Sequence, residues 1–296
     1  MIVLEDVIYN FSKDNDYLRK VQPGDTIKFK TMDCFSGQIK SNKELIKNLD
    51  FNKVNPATGP VYIEGAKPGD TLVVKIEDIK IGNKGVVSTL PNIGPLLNRS
   101  EQRTRILDIH DGYVEFNDLK IAVEPMIGVI GVAPEEGQIP CGESGKHGGN
   151  LDNKKITKGT TLYFPVNIDG ALFQLGDLHA IMGDGEICGT GLEVSGEVTV
   201  KVNLIKNFNI EIPAHKTKDK WYVIASEKTY NDALILAANA MQDLICKAYN
   251  WDATDAHLYL SLQGDVEVCQ GARPSDWDII LRLGIPKIED RELFMG

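Results

Sequence analysis

Twice in its first hundred residues the chain repeats one pattern: a Pro-Gly-Asp turn launches an alternating run. Pro23-Gly24-Asp25 leads into TIKFKTM, where Ile27, Phe29 and Thr31 alternate with lysines, and Pro68-Gly69-Asp70 leads into TLVVKIEDIKI. Successive side chains on a strand point to opposite faces, so each run can bury one face and wet the other. Entered from tight turns, such runs are the pattern of sandwich or barrel strands. More strands follow: MIGVIGVAP (126–134), whose spaced glycines suit a close-packed buried strand, then SGEVTVKVNLI and PAHKTKDKWYVIA. LYFPVNIDGALFQLGD reads as a β-hairpin turning at Asp169-Gly170. The stretch from Lys43 to Leu49 is briefly helical, and NPATGP (55–60), with two prolines and a glycine, reads as a rigid loop.

The character changes only near the C-terminus. Tyr230 to Tyr249 carries the one long helical pattern, with Thr229 or Asn231 able to cap it. Asp255 to Leu262 reads as a second helix capped by Thr254, and VEVCQG (266–271) closes with a strand. The expected organisation is a mainly β body over 1–210 and an α+β part over 211–296 packed on it.

Composition excludes several classes of function. The formal net charge of −10 argues against a nucleic-acid partner, which needs a basic face. The five cysteines (34, 141, 188, 246 and 269) form no CxxC pair, the usage of free thiols in an intracellular protein. No stretch approaches the ~20 apolar residues of a membrane helix, and acidic residues come too early for a signal peptide. The expectation is a soluble, cytoplasmic protein with no membrane partner.

The densest concentration of possible ligands and acid–base groups is GDLHAIMGDGEICGTGLE (176–193), with Asp177, His179, Asp184, Glu186 and Glu193. Residues two apart on a strand share a face, roughly 7 Å apart, so Asp177 and His179 can approach one metal ion. If Asp184-Gly185 is a two-residue hairpin turn, Glu186 falls on the same side, a base beside a candidate metal. Glu193 has the opposite parity and joins only through a bulge at Gly189 or Gly191. The strand before this motif is apolar (Ala171, Leu172, Phe173, Leu175), so Asp177 and His179 interrupt a buried run, which costs free energy unless they are paired or bind an ion. A second cluster, GKHGGNLD (145–152), sets His147, Asn150 and Asp152 around Gly148-Gly149, where backbone can approach a ligand without a Cβ clash. Asp33 sits at a strand end beside Gly37, where sites are commonly built.

With these residues in view, the chain resembles the acetamidase/formamidase family. The segments that carry the resemblance are DCFSGQI (33–39), NPATGPVYIEGAKPGDTL (55–72), GVIGVAP (128–134), HGGNLD (147–152) and LYFPVNIDGALFQLGDLHAIMGDGEICGTGLE (162–193), with the helix-rich tail. The ordered set GGN-x-D, PV-x4-GALF, GD-x-H and GDGE is far more specific than any one piece. The resemblance implies a jelly-roll-like β body, a homodimer or higher homo-oligomer, and hydrolysis of short aliphatic amides to a carboxylate and ammonia. It carries Asp177, His179, Asp184, Glu186 and Glu193 over as signature positions, with Asp33, His147, Asn150 and Asp152 as further polar ones. Met182 stands where members of the family often carry Gln.

Amide hydrolysis needs a strong nucleophile, stabilisation of the oxyanion and a proton for the leaving nitrogen. A metal supplies the first two, lowering the pKa of bound water from 15.7 to about 7. The expected ligands are Asp33, His147, Asp177 and His179, holding Zn²⁺ or alternatively Ca²⁺. Glu186 is the expected base, with Glu193 and Asp184 as further catalytic carboxylates. Asn150 and Gly149 are the expected oxyanion donors, and Met182 the residue bearing on substrate choice. The competing readings are a cysteine nucleophile (Cys34, Cys141 or Cys188), a cupin-like metal oxidoreductase, and a non-catalytic jelly-roll domain with a structural metal. Glu186 separates the last from a hydrolase, because only a hydrolase needs it.

Overall fold

The two Pro-Gly-Asp turns are the same structure. In each, the Asp carboxylate accepts the backbone N–H three residues back, Asp25 from Gln22 (2.8 Å) and Asp70 from Lys67 (2.9 Å). Gly24 and Gly69 supply the positive φ, +98° and +91°, that an L side chain resists. The strands they launch, Thr26–Thr31 and Thr71–Ile81, flank one long strand, Gly196–Ile205, and pair with it antiparallel on either side.

These three strands lie in a nine-stranded sheet, which faces a twelve-stranded one in this computed structural model; the described residues are 2–294. The sheets share one core. Ile27, Phe29, Val198 and Val200 of the first pack with Ile127, Ile130, Phe173 and Leu175 of the second, and Phe29 meets Phe173 edge-on at 5.7 Å. The fold is thus mainly β, built as two packed sheets.

Four local expectations are corrected. Strands Thr161–Pro165 and Phe173–His179 do not pair as a hairpin: they belong to different sheets, and the turn through Asp169-Gly170 carries the chain across the core. Hydrophobic side chains on both flanks satisfy a cross-sheet connection as well as a hairpin, and composition does not tell them apart. NPATGP is not a loop throughout, since strand Ala57–Ile63 runs through it, pairing with Phe173–His179. The helical stretch after Lys43 is a single 3₁₀ turn, Ile46–Asn48. The second helix is Ala253–Gln263, and its cap is Asp252, which accepts the Asp255 N–H.

The long helix Tyr230–Tyr249 forms as expected, with Thr229 accepting the Asp232 N–H. It buries Ala237, Met241, Leu244 and Ile245 against Trp221, Val223, Leu283 and Ile285, a second core. Position 210 does not divide two sheets. Ala214–Lys216 pairs with Thr161–Pro165, and through Lys220–Glu227 and Ile279–Pro286 the C-terminal strands extend the nine-stranded sheet. That continuity lets C-terminal residues reach the site described next.

Candidate active site

Phe173–His179 is buried along its whole length and lies between Met126–Gly131 and the short strand Glu193–Val194. Glu193 stands directly opposite His179 in that pairing, so their side chains share a face. Its expected parity does not apply, because residues 180–192 form a long irregular loop and not a two-residue hairpin. Glu186 comes back to the site through that loop, anchored by the bridge between Gly185 and Gln270.

The result is a convergence on one imidazole nitrogen. His179 Nε2 lies 3.2 Å from Glu193 Oε2, 3.5 Å from Asp177 Oδ1 and 3.8 Å from Asp152 Oδ1. Those three carboxylate oxygens are buried and have no hydrogen-bond partner among the described residues. Potential ligand atoms of Asp152, His179 and Glu186 lie within 4.8 Å of one another, as do those of Cys34, Asp177 and Glu193. Two glycines make the room: a Cβ on Gly128 would fall 2.5 Å from Asp177 Oδ2 and 2.7 Å from Asp152 Oδ1, and one on Gly191 would fall 2.5 Å from His179 Nδ1. Asp152, Asp177 and Glu186 also hold φ of +35°, +53° and +44°, the left-handed region that non-glycine residues occupy at a cost.

The electrostatics are those of too many charges in one dry place. Burial first, then the charges of Asp177 and Glu193, push Asp152 up to about 8 against the pull of His179. Burial pushes Glu193 up to about 7, again opposed by His179, and burial with the Asp152 charge holds Glu186 well above its ordinary range. Burial alone would depress His179, but Glu193 and Asp177 outweigh it and hold it well above the ordinary imidazole value. Unpartnered buried carboxylates around one nitrogen suit a divalent cation, which would restore the balance of charge without protons.

Gln270 and Asn150 order the carboxylates. Gln270 Nε2 donates to Asp152 Oδ2 (2.6 Å) and Glu186 Oε2 (2.8 Å), and Asn150 Nδ2 donates to Asp152 Oδ2 (2.5 Å). Asn55 Nδ2 reaches Asn150 Oδ1 at 3.5 Å. The carboxylates form the floor of a cavity of about 320 Å³ whose walls include Phe35, Ile46, Phe51, Leu90, Ile93 and Trp277.

Five of the residues singled out in the sequence lie elsewhere. Asp33 is a turn-former: its Oδ1 accepts the N–H groups of Phe35 (2.9 Å) and Gly37 (3.1 Å) and is outside the cluster. His147 is buried against Phe11 with ring centroids 4.8 Å apart, and burial depresses it to about 4; it too is outside the cluster. Asp184 faces away, in ion pairs with Arg282 (2.7 Å) and Lys154 (3.0 Å) that hold it below the ordinary carboxylate range despite partial burial. Gly149 is held in strand pairing with Ile130 and does not line the cavity, and neither does buried Met182. The backbone N–H of Asn150 is likewise committed, to Glu143 O at 3.0 Å. Asp177, His179, Glu186, Glu193 and Asn150 do come together.

Asp152, Gln270, Cys34 and Gly128 complete the assembly. Asp152 had a signal, two residues beyond Asn150 in the glycine cluster; Gln270, a lone amide after a strand, had none. Cys34 lines the cavity, but burial and then the charges of Glu193 and Asp177 raise its thiol well above the ordinary range, and burial takes Cys141 up to about 12. Neither is set up as a thiolate nucleophile.

Comparison with known proteins follows the same residues. The pattern of the Acetamidase/Formamidase family matches residues 5–140 and 138–256. The crystal structure of a recombinant predicted acetamidase/formamidase from Thermoanaerobacter tengcongensis is 42% identical and superposes with a TM-score of 0.92, over 96% of this chain and 95% of that one. An acetamidase from Bacillus halodurans is 41% identical, with a TM-score of 0.92 over 96% of this chain and 97% of the other. A formamidase from Methylophilus methylotrophus is 28% identical over 256 aligned positions, which cover 66% of this chain and 63% of that protein. The chain thus spans somewhat under two thirds of the formamidases it matches. Among the described residues no helix is long and apolar enough to cross a membrane.

Proposed function

The chain belongs to the acetamidase/formamidase family, and from that premise we propose that it hydrolyses aliphatic amides to a carboxylate and ammonia at the buried acidic centre. The observation that carries this reading is the convergence of three unpartnered carboxylate oxygens on His179 Nε2, with Glu186 beside them at the floor of a cavity.

Asp152, Asp177, His179 and Glu193 are the residues that would hold a divalent cation. A nitrogen ligand among carboxylates, with the Cys34 sulfur close by, suits Zn²⁺ better than Ca²⁺, which takes about six to eight oxygens. When bound, the ion supplies Lewis-acid chemistry, polarising the carbonyl and acidifying water.

The chain's own residues do the rest. Glu186 takes a proton from the attacking water and returns it to the departing nitrogen; burial and the Asp152 charge make it a stronger base than an ordinary carboxylate, which suits such a shuttle. Gln270 fixes the Glu186 carboxylate and, with Asn150, orients Asp152. The carboxylates themselves are buried, so each charge there acts in a lower dielectric than water.

The test is ammonia release from formamide, acetamide and propionamide, before and after chelation and with Zn²⁺ or Ca²⁺ added back. Activity lost to the chelator and restored by Zn²⁺ is the expected result. Activity indifferent to exhaustive metal removal overturns the metal assignment, and no ammonia from any amide, with metal bound, overturns the amidase reading.

A further inference from the structure

The walls of the cavity are as informative as its floor. Phe35 and Ile46 line it as buried residues, Leu90 and Ile93 come from a separate loop, and Phe51 and Trp277 are more exposed wall residues. They come from four separate stretches of chain, so the apolar lining is not the face of one amphipathic element. Part of it belongs to a small satellite core of Cys34, Phe35, Ile39, Ile46 and Val86, with Leu90 packed against it. Phe51 remains 54% exposed, a large aromatic left facing open space.

A second cavity, of about 250 Å³, adjoins the first and shares Gly142, Asn150, Gln270 and Trp277 with it. Its lining is different in kind, with Glu143, Lys228, Asp276 and Asp278. The carboxylates thus line the apolar cavity, and the charged side meets it only at Gly142, Asn150, Gln270 and Trp277. Ammonia and its conjugate acid are hydrated species suited to the charged side. The acyl group belongs on the apolar one.

Formamide carries nothing beyond its carbonyl carbon, and acetamide only a methyl. At about 30 Å³ per water-sized group, a cavity of about 320 Å³ would keep most of its apolar wall in contact with water when either was bound. Resting on the amidase reading, we propose that this site prefers amides whose apolar acyl chain extends beyond acetyl, and that Phe51, Leu90, Ile93 and Trp277 set this preference. Met182, buried away from the cavity, does not take part.

The experiment is a kcat/KM series on the metal-loaded protein, from formamide and acetamide through propionamide and butyramide to hexanamide. Burial of each methylene is expected to raise kcat/KM about threefold to fourfold. Phe51→Ala and Ile93→Ala should flatten that slope, lowering the hexanamide-to-acetamide ratio about fivefold to tenfold; because Phe51 is largely exposed, its replacement leaves the fold standing. As an independent binding measure, hexanoate should inhibit more tightly than acetate. A series that falls beyond acetamide overturns this inference and leaves the amidase standing. A slope unchanged in both variants overturns the assignment of the wall, and no turnover of any amide overturns the amidase reading and this inference with it.

Discussion

Asp184 and Glu186 stand two residues apart, on either side of Gly185, in opposite electrostatic settings. Asp184 is partly exposed and pairs with Arg282 through two hydrogen bonds (2.8 and 2.7 Å) and with Lys154. Glu186 is buried among other carboxylates, and its ordered partner is a neutral amide, Gln270. One carboxylate is held below its ordinary range and the other well above. A GDGE motif therefore does not hand both acids to one site. The first ties the loop to the C-terminal strands through a buried arginine, and the second is left to line the cavity.

The largest effect is expected at Glu186. Glu186→Gln keeps size and the link to Gln270, and should cut kcat for amide hydrolysis by about 10²- to 10⁴-fold while metal content stays unchanged. Metal analysis on the same sample separates lost chemistry from a lost ion. Gly128→Ala should cost both, because its Cβ would fall 2.5 Å from Asp177 Oδ2; metal retained at the wild-type ratio would show that the cradle is not needed.

On the structural side, Arg282 is fully buried and pairs with Asp184 and Glu267. Arg282→Leu should destabilise the protein by about 2 kcal/mol in urea unfolding, since Glu267 loses its partner and Asp184 keeps only Lys154. Next to it lies His215, which burial, then Arg282 and Lys155, hold down to about 3. An unfolded histidine titrates near 6.5, so below that pH the unfolded chain takes up a proton that the native state refuses. Stability should fall with acid from about pH 6.5 to about pH 3, at about 1.4 kcal/mol per unit. His147, held down to about 4, acts in the same direction. Unfolding free energies at pH 7 and 5 should differ less in His215→Phe, which keeps the stack on Tyr222. The smallest effect is expected at Asp33: Asp33→Ala should cost about 1 kcal/mol for its lost turn hydrogen bonds and leave metal binding intact, whereas Asp177→Asn should weaken it.

Much of this molecule was legible without coordinates. The Pro-Gly-Asp turns, the buried MIGVIGVAP strand and the long helix with its Thr229 cap are local, because turn chemistry, side-chain alternation and capping act within a few residues. Asp177 and His179 were legible for the same reason: two polar residues in an apolar run announce that something compensates them. Asp33, His147 and Asp184 carried the same kind of signal and mean something else, since a carboxylate that turns a loop or binds an arginine has the same letter as one that binds a metal.

The tertiary structure alone decided the partnerships. Glu193 faces His179 because a loop, not a hairpin, joins their strands, and loop length overrides parity. Gln270 and Arg282 reach their carboxylates from about a hundred residues along the chain because the C-terminal strands extend the nine-stranded sheet past residue 210. The apolar wall is likewise assembled from separate loops. Sequence determines what each residue is able to do over the few residues it feels directly; which residues do it together is fixed by packing between segments, where the dominant force, burial of apolar surface, carries no direction of its own.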